Sequence, residues 1–272
     1  AVMATGMRMV TATSCFDKTK SVMGLLPASM IESTEHCLEK TQALFEQYAG
    51  KFAGKLQVSA SFRGMNNASD ELIAGLKGIA DQHDALLQTH ACFSYSTHDS
   101  SLAGSGKPEI ERLESLGVLD ERMLLVHAGW LEPHEVAILV KRKPTLVCSP
   151  SSSIHNGYGN LAVGLHPELM ALGVNVSLGS DHACSGVVDM VQEMRYCACG
   201  YKEIRVNPRV MPPEHALEMA TLNGAKGAGL ADRIGSIEIG KEADLVMFDT
   251  TCSEWQPLYN PVSNLVYGAT GN

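Results

Sequence analysis

The fold of this chain can be predicted from residues 123–148, which read MLLVHAGWLEPHEVAILVKRKPTLVC. Two short apolar runs, 123–127 and 145–148, flank a segment with helical spacing at 133–140. Short, apolar strands that are each followed by a helix are typical of parallel βα units, in which both faces of the sheet are covered. The stretch therefore predicts a β-α-β crossover in an α/β protein.

The same alternation extends in both directions from this stretch. Further strands are predicted at residues 7–13, 56–61, 85–90 and 174–178, and helices at 34–48, 69–81, 108–116, 161–172, 187–200 and 212–220. The first of these helices is expected to be capped near Ser33-Thr34, and Ser69 is the expected N-cap of the second. Six consecutive βα units without a dinucleotide-binding glycine motif favour a (β/α)8 barrel over an open, doubly wound sheet.

The pattern changes near the carboxyl end of the sequence. Residues 234–240 alternate and turn like a hairpin, and residues 245–248 are predicted as a last strand. We therefore assign residues 1–232 to the barrel and residues 233–272 to the start of a small accessory β element.

The composition argues against several classes of function. The 272 residues include 21 Lys and Arg against 30 Asp and Glu, a net charge of −9, and 6% are aromatic. Neither nucleic acid nor a membrane is an expected partner, because the chain has no basic run and no apolar run of ~20 residues. The eight cysteines are spread along the chain, which is typical of reduced thiols in a cytoplasmic protein.

Three of the predicted strands end in side chains that can bind a metal or move a proton. His90 and His127 are the last residues of their strands, and the strand at 174–178 runs into Gly179-Ser180-Asp181. In a (β/α)8 barrel the chemistry lies at the carboxyl ends of the strands. A single histidine at a strand end is more often structural, but three such residues in register indicate a functional site.

The sequence around these strand ends resembles a known family. The segments concerned are 124–131, 147–152, 173–181, 189–190, 193–195, 220–225 and 234–246. The run ending in Asp181 and the later Gly-Lys-x-Ala-Asp stretch are the most specific of them. With these segments the chain resembles the amidohydrolase superfamily, in the branch of the triazine chlorohydrolases and the adenosine-analogue, guanine and pterin deaminases. The similarity covers nearly the whole chain, weakly before residue 85 and strongly after residue 120.

The resemblance implies a role for each of the three strand-end residues. His90 would ligate one divalent metal ion, zinc in the first place and iron as the alternative. Asp181 would ligate the same ion and act as general base, whereas His127 would hydrogen-bond the substrate or the attacking hydroxide. A divalent ion lowers the pKa of a bound water molecule towards ~7, which supplies hydroxide at neutral pH.

Two features depart from the family pattern. The family's other two ligands form a His-x-His pair on its first strand, and the sequence has no such pair. We therefore expect it to begin at the family's third strand and to stop within the accessory domain. The family also commonly carries Glu three residues after the fifth-strand histidine, where it protonates a ring nitrogen, and Phe93 stands there instead.

Phe93 leaves three alternatives open. A neighbouring side chain could replace the missing acid, the substrate could need no such proton, or Phe93 could stack on a planar ring. The neighbours considered are Ser94, Tyr95, His98 and Asp99. Further candidates for contact with the substrate are Trp130, His155 and His182.

The predicted function is hydrolysis of a non-peptide carbon–nitrogen bond. Its leading form is hydrolytic deamination of a small nitrogen heterocycle of the purine, pterin or triazine type. One alternative is a dehalogenating or ring-amide hydrolase of the same superfamily. Another is a non-catalytic fragment that lacks the His-x-His ligands. Assembly into a homo-oligomer is left open.

Overall fold

The computed structural model describes residues 2–18, 20–21, 24–25, 27–183 and 186–270. The chain divides into two compact units. Unit 1 comprises Ala1–Leu125 and Glu132–Pro144, and unit 2 comprises Val126–Leu131 and Thr145–Asn272.

Strands and helices alternate through most of the chain. The strands are β1 (Met9–Thr11), β2 (Lys20–Ser21), β3 (Gly24–Leu25), β4 (Leu56–Val58), β5 (Ala60–Gly64), β6 (Leu87–Ala91), β7 (Met123–His127), β8 (Thr145–Cys148) and β9 (Val176–Leu178). The helices are α1 (Val2–Thr5), α2 (Thr34–Tyr48), α3 (Asp70–Gln82), α4 (Tyr95–Ser105), α5 (Glu109–Ser115), α6 (Pro133–Arg142), α7 (Pro150–Asn156), α8 (Asn160–Val163), α9 (His166–Ala171), α10 (Met190–Arg205), α11 (Pro213–Ala220), α12 (Leu222–Gly227) and α13 (Pro261–Ser263). Two 3-10 turns lie at Ala28–Met30 and Ser253–Trp255, and a π turn lies at Asn264–Gly268.

The principal strands pair in parallel and in chain order, as predicted. In unit 1, β1 pairs with β4 with Met9 opposite Leu56, and β5 pairs with β6 with Ala60 opposite Leu87. In unit 2, β8 pairs with β9. Strand β7 begins in unit 1 and ends in unit 2. The α/β fold class with consecutive parallel strands is thereby confirmed.

The predicted strand at 56–61 is observed as two short strands with different partners. Residues 56–58 pair with β1, and the Ser59 amide still donates to Thr11 O at 2.8 Å. The next amide, that of Ala60, donates to Leu86 O at 2.9 Å. Successive amides of a strand point to opposite sides. The segment that contains β4 and β5 therefore bonds to β1 on one side and to β6 on the other.

Both predicted N-caps are confirmed. The Ser33 hydroxyl accepts from the His36 amide at 3.2 Å at the start of α2, and the Ser69 hydroxyl accepts from the Leu72 amide at 3.0 Å at the start of α3. Each bond satisfies an amide that has no partner within its own helix. The apolar stripe of α3 is buried as expected, namely Leu72, Ile73, Leu76 and Ala80.

Two predicted helices differ from those observed. The helix predicted at 161–172 is observed as two short helices, α8 and α9. The backbone leaves the helical conformation at Gly164, which is extended. A Cβ at Gly164 would lie 2.2 Å from the Asn160 carbonyl oxygen, so only glycine fits this turn. The helix predicted at 187–200 instead begins at Met190, where the Asp189 side chain caps it, and continues to Arg205.

The hairpin predicted at 234–240 and the strand predicted at 245–248 are not formed in the structure. The described residues of this region include turns and irregular segments, and the side chains of Ile237, Ile239 and Met247 are exposed. Alternating residues form a ladder only when a partner strand satisfies their amides and carbonyls. The assignment of 233–272 to an accessory element stays a prediction.

None of the described helices combines the length and the apolar character that a membrane span needs.

Candidate active site

His127 ends strand β7 in a backbone conformation that non-glycine residues rarely adopt. Its φ is 78°, and that of Ala128 is 49°. Each such residue costs on the order of 1–3 kcal/mol and persists only where surrounding contacts hold it. The side chains of β7 alternate in burial, so the imidazole of His127 continues the buried face of Met123 and Leu125. Strand β7 therefore ends in a buried and strained histidine.

Asp181 follows strand β9 in the same unit and is also in a left-handed conformation, with a φ of 61°. Its carboxylate is 3% exposed, and its Oδ2 lies 3.5 Å from His127 Nε2. The Ser152 hydroxyl donates to the same oxygen at 2.7 Å. Unit 2 thus places a carboxylate beside an imidazole, with one carboxylate oxygen oriented by a serine.

The spacing between His127 and Asp181 bears on how the two groups interact. A distance of 3.5 Å is longer than a direct charge-assisted hydrogen bond, which spans about 2.7–2.9 Å. The two groups are therefore in contact without a short, charge-assisted hydrogen bond.

Ser152 lies in the family-like segment 147–152, and its hydroxyl is the group that contacts Asp181. It lies in α7, which begins directly after β8 with Ser149 as its N-cap residue and Pro150 in its first turn. The side-chain amide of Asn156 donates to the Ser152 carbonyl at 3.0 Å within this helix. Helix α7 thereby directs the hydroxyl of Ser152 at Asp181, a contact that sequence spacing does not reveal.

Trp130 and Tyr158 form a wall beside His127. The Trp130 indole donates to the Tyr158 carbonyl at 2.8 Å, and the Tyr158 ring meets the His127 ring edge-on at 5.7 Å. The indole N–H therefore ties Trp130 to the loop that carries Tyr158. Contact between Trp130 and a substrate stays a prediction.

The two further histidines predicted for substrate contact have different surroundings. His182 is 43% exposed, and its Nε2 lies 3.7 Å from Asp181 Oδ1. His155 is exposed on the last turn of α7. His182 is thus adjacent to the carboxylate, whereas a role for His155 stays a prediction.

His90 lies in unit 1, one residue before the end of β6. Its Nδ1 is 2.9 Å from the Arg63 carbonyl oxygen. A carbonyl only accepts, so Nδ1 carries the proton and Nε2 carries the lone pair of the neutral ring. A histidine that donates its other ring N–H to a carbonyl is the usual form of a metal ligand. His90, His127 and Asp181 each offer one atom that can ligate a metal ion.

The loop after His90 is held by a buried carboxyl group. The amide of Cys92, whose φ is 52°, donates to Glu109 Oε2. Burial raises the pKa of Glu109 to about 7, and it also raises the pKa of the neighbouring Glu135. Phe93 follows Cys92 and is half-buried. Glu109 carries no distinguishing signal in the sequence, because an acidic residue early in a helix is ordinarily exposed to solvent.

The four neighbours of Phe93 that were considered as acids differ in burial. His98 is buried, whereas Ser94 is half-buried and Tyr95 and Asp99 are exposed. The Nε2 of His98 lies 3.1 Å from a carboxylate oxygen of Glu132. Ser94 instead caps helix α4 through the Thr97 amide.

The family of the chain follows from a comparison with known proteins. The model of the amidohydrolase family matches residues 1–270. The chain belongs to the amidohydrolase family, which confirms the resemblance found in the sequence.

Relatives of known name include deaminases. A 5-methylthioadenosine/S-adenosylhomocysteine deaminase of Syntrophobacter fumaroxidans is 30% identical over 99% of this chain and 59% of its own length. The chain thus spans about three fifths of the length of this curated relative.

Solved structures of the same fold include a deaminase and a chlorohydrolase, both with zinc. An adenosine deaminase from Xanthomonas campestris with bound zinc is 26% identical, with a TM-score of 0.89 over 98% of this chain and 58% of that one. Atrazine chlorohydrolase from Arthrobacter aurescens, complexed with zinc, is 20% identical, with a TM-score of 0.89 over 97% of this chain and 58% of that one. The second likeness concerns the fold alone.

Proposed function

We propose that this chain belongs to a metal-dependent hydrolase that replaces the amino group of a nitrogen heterocycle with oxygen. The single observation that carries the proposal is the buried pair of His127 and Asp181 at the ends of β7 and β9. Because named relatives deaminate adenosine analogues, a purine nucleoside is the first substrate class to test. Pterin and triazine-type rings are the next.

His90 and Asp181 are the proposed ligands of one divalent ion, zinc in the first place and iron as the alternative. The donor set supports this, because a neutral imidazole with its lone pair on Nε2 and a buried carboxylate are ligands that both ions accept. When bound, such an ion lowers the pKa of a water molecule towards ~7 and supplies the nucleophile at neutral pH.

Three side chains of unit 2 have separate roles in the reaction: one moves the proton, one donates a hydrogen bond and one orients the base. Asp181 accepts the proton of the attacking water and delivers it to the leaving nitrogen. His127 donates a hydrogen bond to the incoming oxygen or to the substrate. Ser152 keeps the carboxylate of Asp181 oriented throughout, since it donates to Oδ2. A carbon–oxygen bond forms, the carbon–nitrogen bond breaks, and ammonia leaves.

Release of ammonia tests this function. The zinc-loaded, full-length enzyme is incubated with a panel of adenosine analogues, guanine, a pterin, an aminotriazine and a chlorotriazine. Ammonia from at least one amino heterocycle is the expected result. Chloride release would favour a dehalogenase, and loss of ring absorbance without ammonia would favour a ring-amide hydrolase. No reaction, together with a failure of the protein to take up zinc during loading, would favour a non-catalytic protein.

Removal of the His127 imidazole separates catalysis from metal binding. His127→Ala is expected to lower kcat by about 10²–10³ while zinc content stays at the wild-type level, because this imidazole serves the reacting atoms. Metal analysis and steady-state kinetics measure the two effects. His215→Ala, at an exposed histidine of α11, is the matched control. A parallel loss of zinc in His127→Ala would show that His127 is a ligand instead.

Phe93 offers a gain-of-function test. Phe93→Glu is expected to raise kcat/KM for adenosine at least about tenfold and to broaden the range of rings accepted, because a carboxylic acid there can protonate a ring nitrogen. Phe93→Gln has the same length without the acid and serves as the control. Equal values for the two variants would contradict the role given to this position.

The cellular setting is also proposed. The seven cysteines that the structure describes are free thiols, which supports a reducing compartment such as the cytoplasm. Homo-oligomerisation stays a prediction that size-exclusion chromatography with light scattering can test.

A further inference from the structure

A buried row of hydrogen-bonded side chains ends at the backbone of His127. His166, the first residue of α9, lies with its Nε2 2.6 Å from the His127 carbonyl oxygen. Its Nδ1 lies 2.5 Å from the hydroxyl of Tyr201 in α10. Neither His166 nor Tyr201 is exposed to solvent.

The donor and the acceptor of each hydrogen bond in this row follow from the chemistry of the groups. The His127 carbonyl can only accept, so Nε2 of His166 must carry the proton. Burial lowers the pKa of His166 to about 4, which keeps the ring neutral at physiological pH. Nδ1 therefore accepts, and the Tyr201 hydroxyl donates to it. The Cys148 thiol lies 4.0 Å from the same hydroxyl, within reach as a weak donor to it.

The carbonyl that His166 holds belongs to the strained part of the site. The peptide unit between His127 and Ala128 joins two residues whose φ values are both positive. The orientation of this unit decides where the His127 side chain points after β7. A hydrogen bond to its carbonyl therefore stabilises this backbone against relaxation to an ordinary strand conformation.

We propose that His166, oriented by Tyr201, is a positioning residue that holds the His127 imidazole in its reactive orientation. The inference rests on the proposed function, since it assigns His127 to the reacting atoms. His166 itself acts through the backbone of His127 and does not touch the substrate.

A matched pair of substitutions tests the donor atom. His166→Gln places an amide nitrogen near the position of Nε2 and can still donate to the His127 carbonyl. His166→Asn places its amide near Nδ1 and cannot reach that carbonyl. In the full-length, zinc-loaded enzyme, we expect His166→Asn to lower kcat about 100-fold, with KM and zinc content unchanged. His166→Gln should recover most of the rate, and Tyr201→Phe should cost about tenfold.

Two kinetic results would overturn the proposal. One is an equal loss of kcat in the Gln and Asn variants that follows their melting temperatures, which is the behaviour of a residue needed only for packing. The other is a His166→Asn enzyme with the wild-type rate. Tyr201→Phe, which removes a single oxygen, keeps the test decisive if both His166 variants fail to fold.

Crystal structures of the variants separate this proposal from the proposed function. We expect the peptide between His127 and Ala128 to reorient in His166→Asn and to keep its orientation in His166→Gln. That readout stands even if the wild-type enzyme releases no ammonia from any compound in the panel. An unchanged peptide in His166→Asn would overturn the positioning role by itself.

Discussion

Replacement of Asp181 by Asn is expected to abolish turnover and metal binding together. The amide is neutral and cannot take up the proton of the attacking water, which removes a general base worth about 10²–10⁴ in rate. It is also a poor ligand, so loss of the metal brings the total decrease in kcat to at least about 10⁴. The fold should survive, because the amide oxygen can still accept from Ser152.

Three measurements check this result: zinc content after dialysis, kcat by ammonia release, and the melting temperature. Asp232→Asn, at an exposed aspartate in the same unit, is the matched control and should resemble the wild type in all three. An Asp181→Asn enzyme that keeps its zinc and turns over within tenfold of the wild type would contradict both roles given to the carboxylate.

The second large effect concerns the dependence of stability on pH. The pKa of Glu109 is about 7 in the folded protein, against an ordinary value of 4.5. The folded state therefore holds a proton that the unfolded state has released between these two values. The free energy of unfolding must fall as the pH rises from about 4.5 to about 7, by roughly 3 kcal/mol on account of this group.

Glu109→Gln is expected to remove this decrease in the free energy of unfolding with rising pH. The glutamine side chain is neutral at every pH and can still accept from the Cys92 amide, as Glu109 does. We expect the variant to equal the wild type near pH 4.5 and to exceed it in stability by about 2–3 kcal/mol at pH 8. Urea denaturation at the two pH values measures the difference.

Glu121→Gln, at an exposed glutamate of the same unit, is the control for the change of charge and should leave the pH dependence as it is. A Glu109→Gln variant whose stability falls with pH as steeply as that of the wild type would show that Glu109 is not protonated in the fold. The decrease due to Glu135, whose pKa is also raised by burial, should persist in Glu109→Gln.

The strands could be predicted from sequence because their signal is local. The strands at Met123–His127 and Thr145–Cys148 agree with the prediction residue for residue. Their apolar side chains mark them wherever they lie, and a helix follows each one. The N-caps at Ser33 and Ser69 were predictable for the same reason, since each hydroxyl serves an amide three residues away.

The predicted elements that were wrong are those whose formation depends on a pairing strand or on the room left for a side chain. The helical pattern across residues 161–172 is broken at Gly164, where the approach of another backbone oxygen leaves no room for a side chain. The alternating residues at 234–240 predict a hairpin. An alternating pattern does not show whether a neighbouring strand is present for pairing.

The candidate site divides in the same way. His90, His127 and Asp181 could be selected from the sequence, because residue type and position at a strand end are both readable there. Their supporting contacts could not. Ser152 is 29 residues from Asp181, and His166 is 39 residues from His127.

Local residue patterns were thus enough to predict the order of strands and helices, the family, and the residues at the strand ends. Each of these is encoded in side-chain chemistry over a short stretch of chain. Contacts between distant parts of the chain set the left-handed backbone of His127 and Asp181, the proton on Nδ1 of His90, and the burial of Glu109. Those properties depend on which distant atoms lie within hydrogen-bond distance and on whether water is excluded, and both are set by packing in three dimensions.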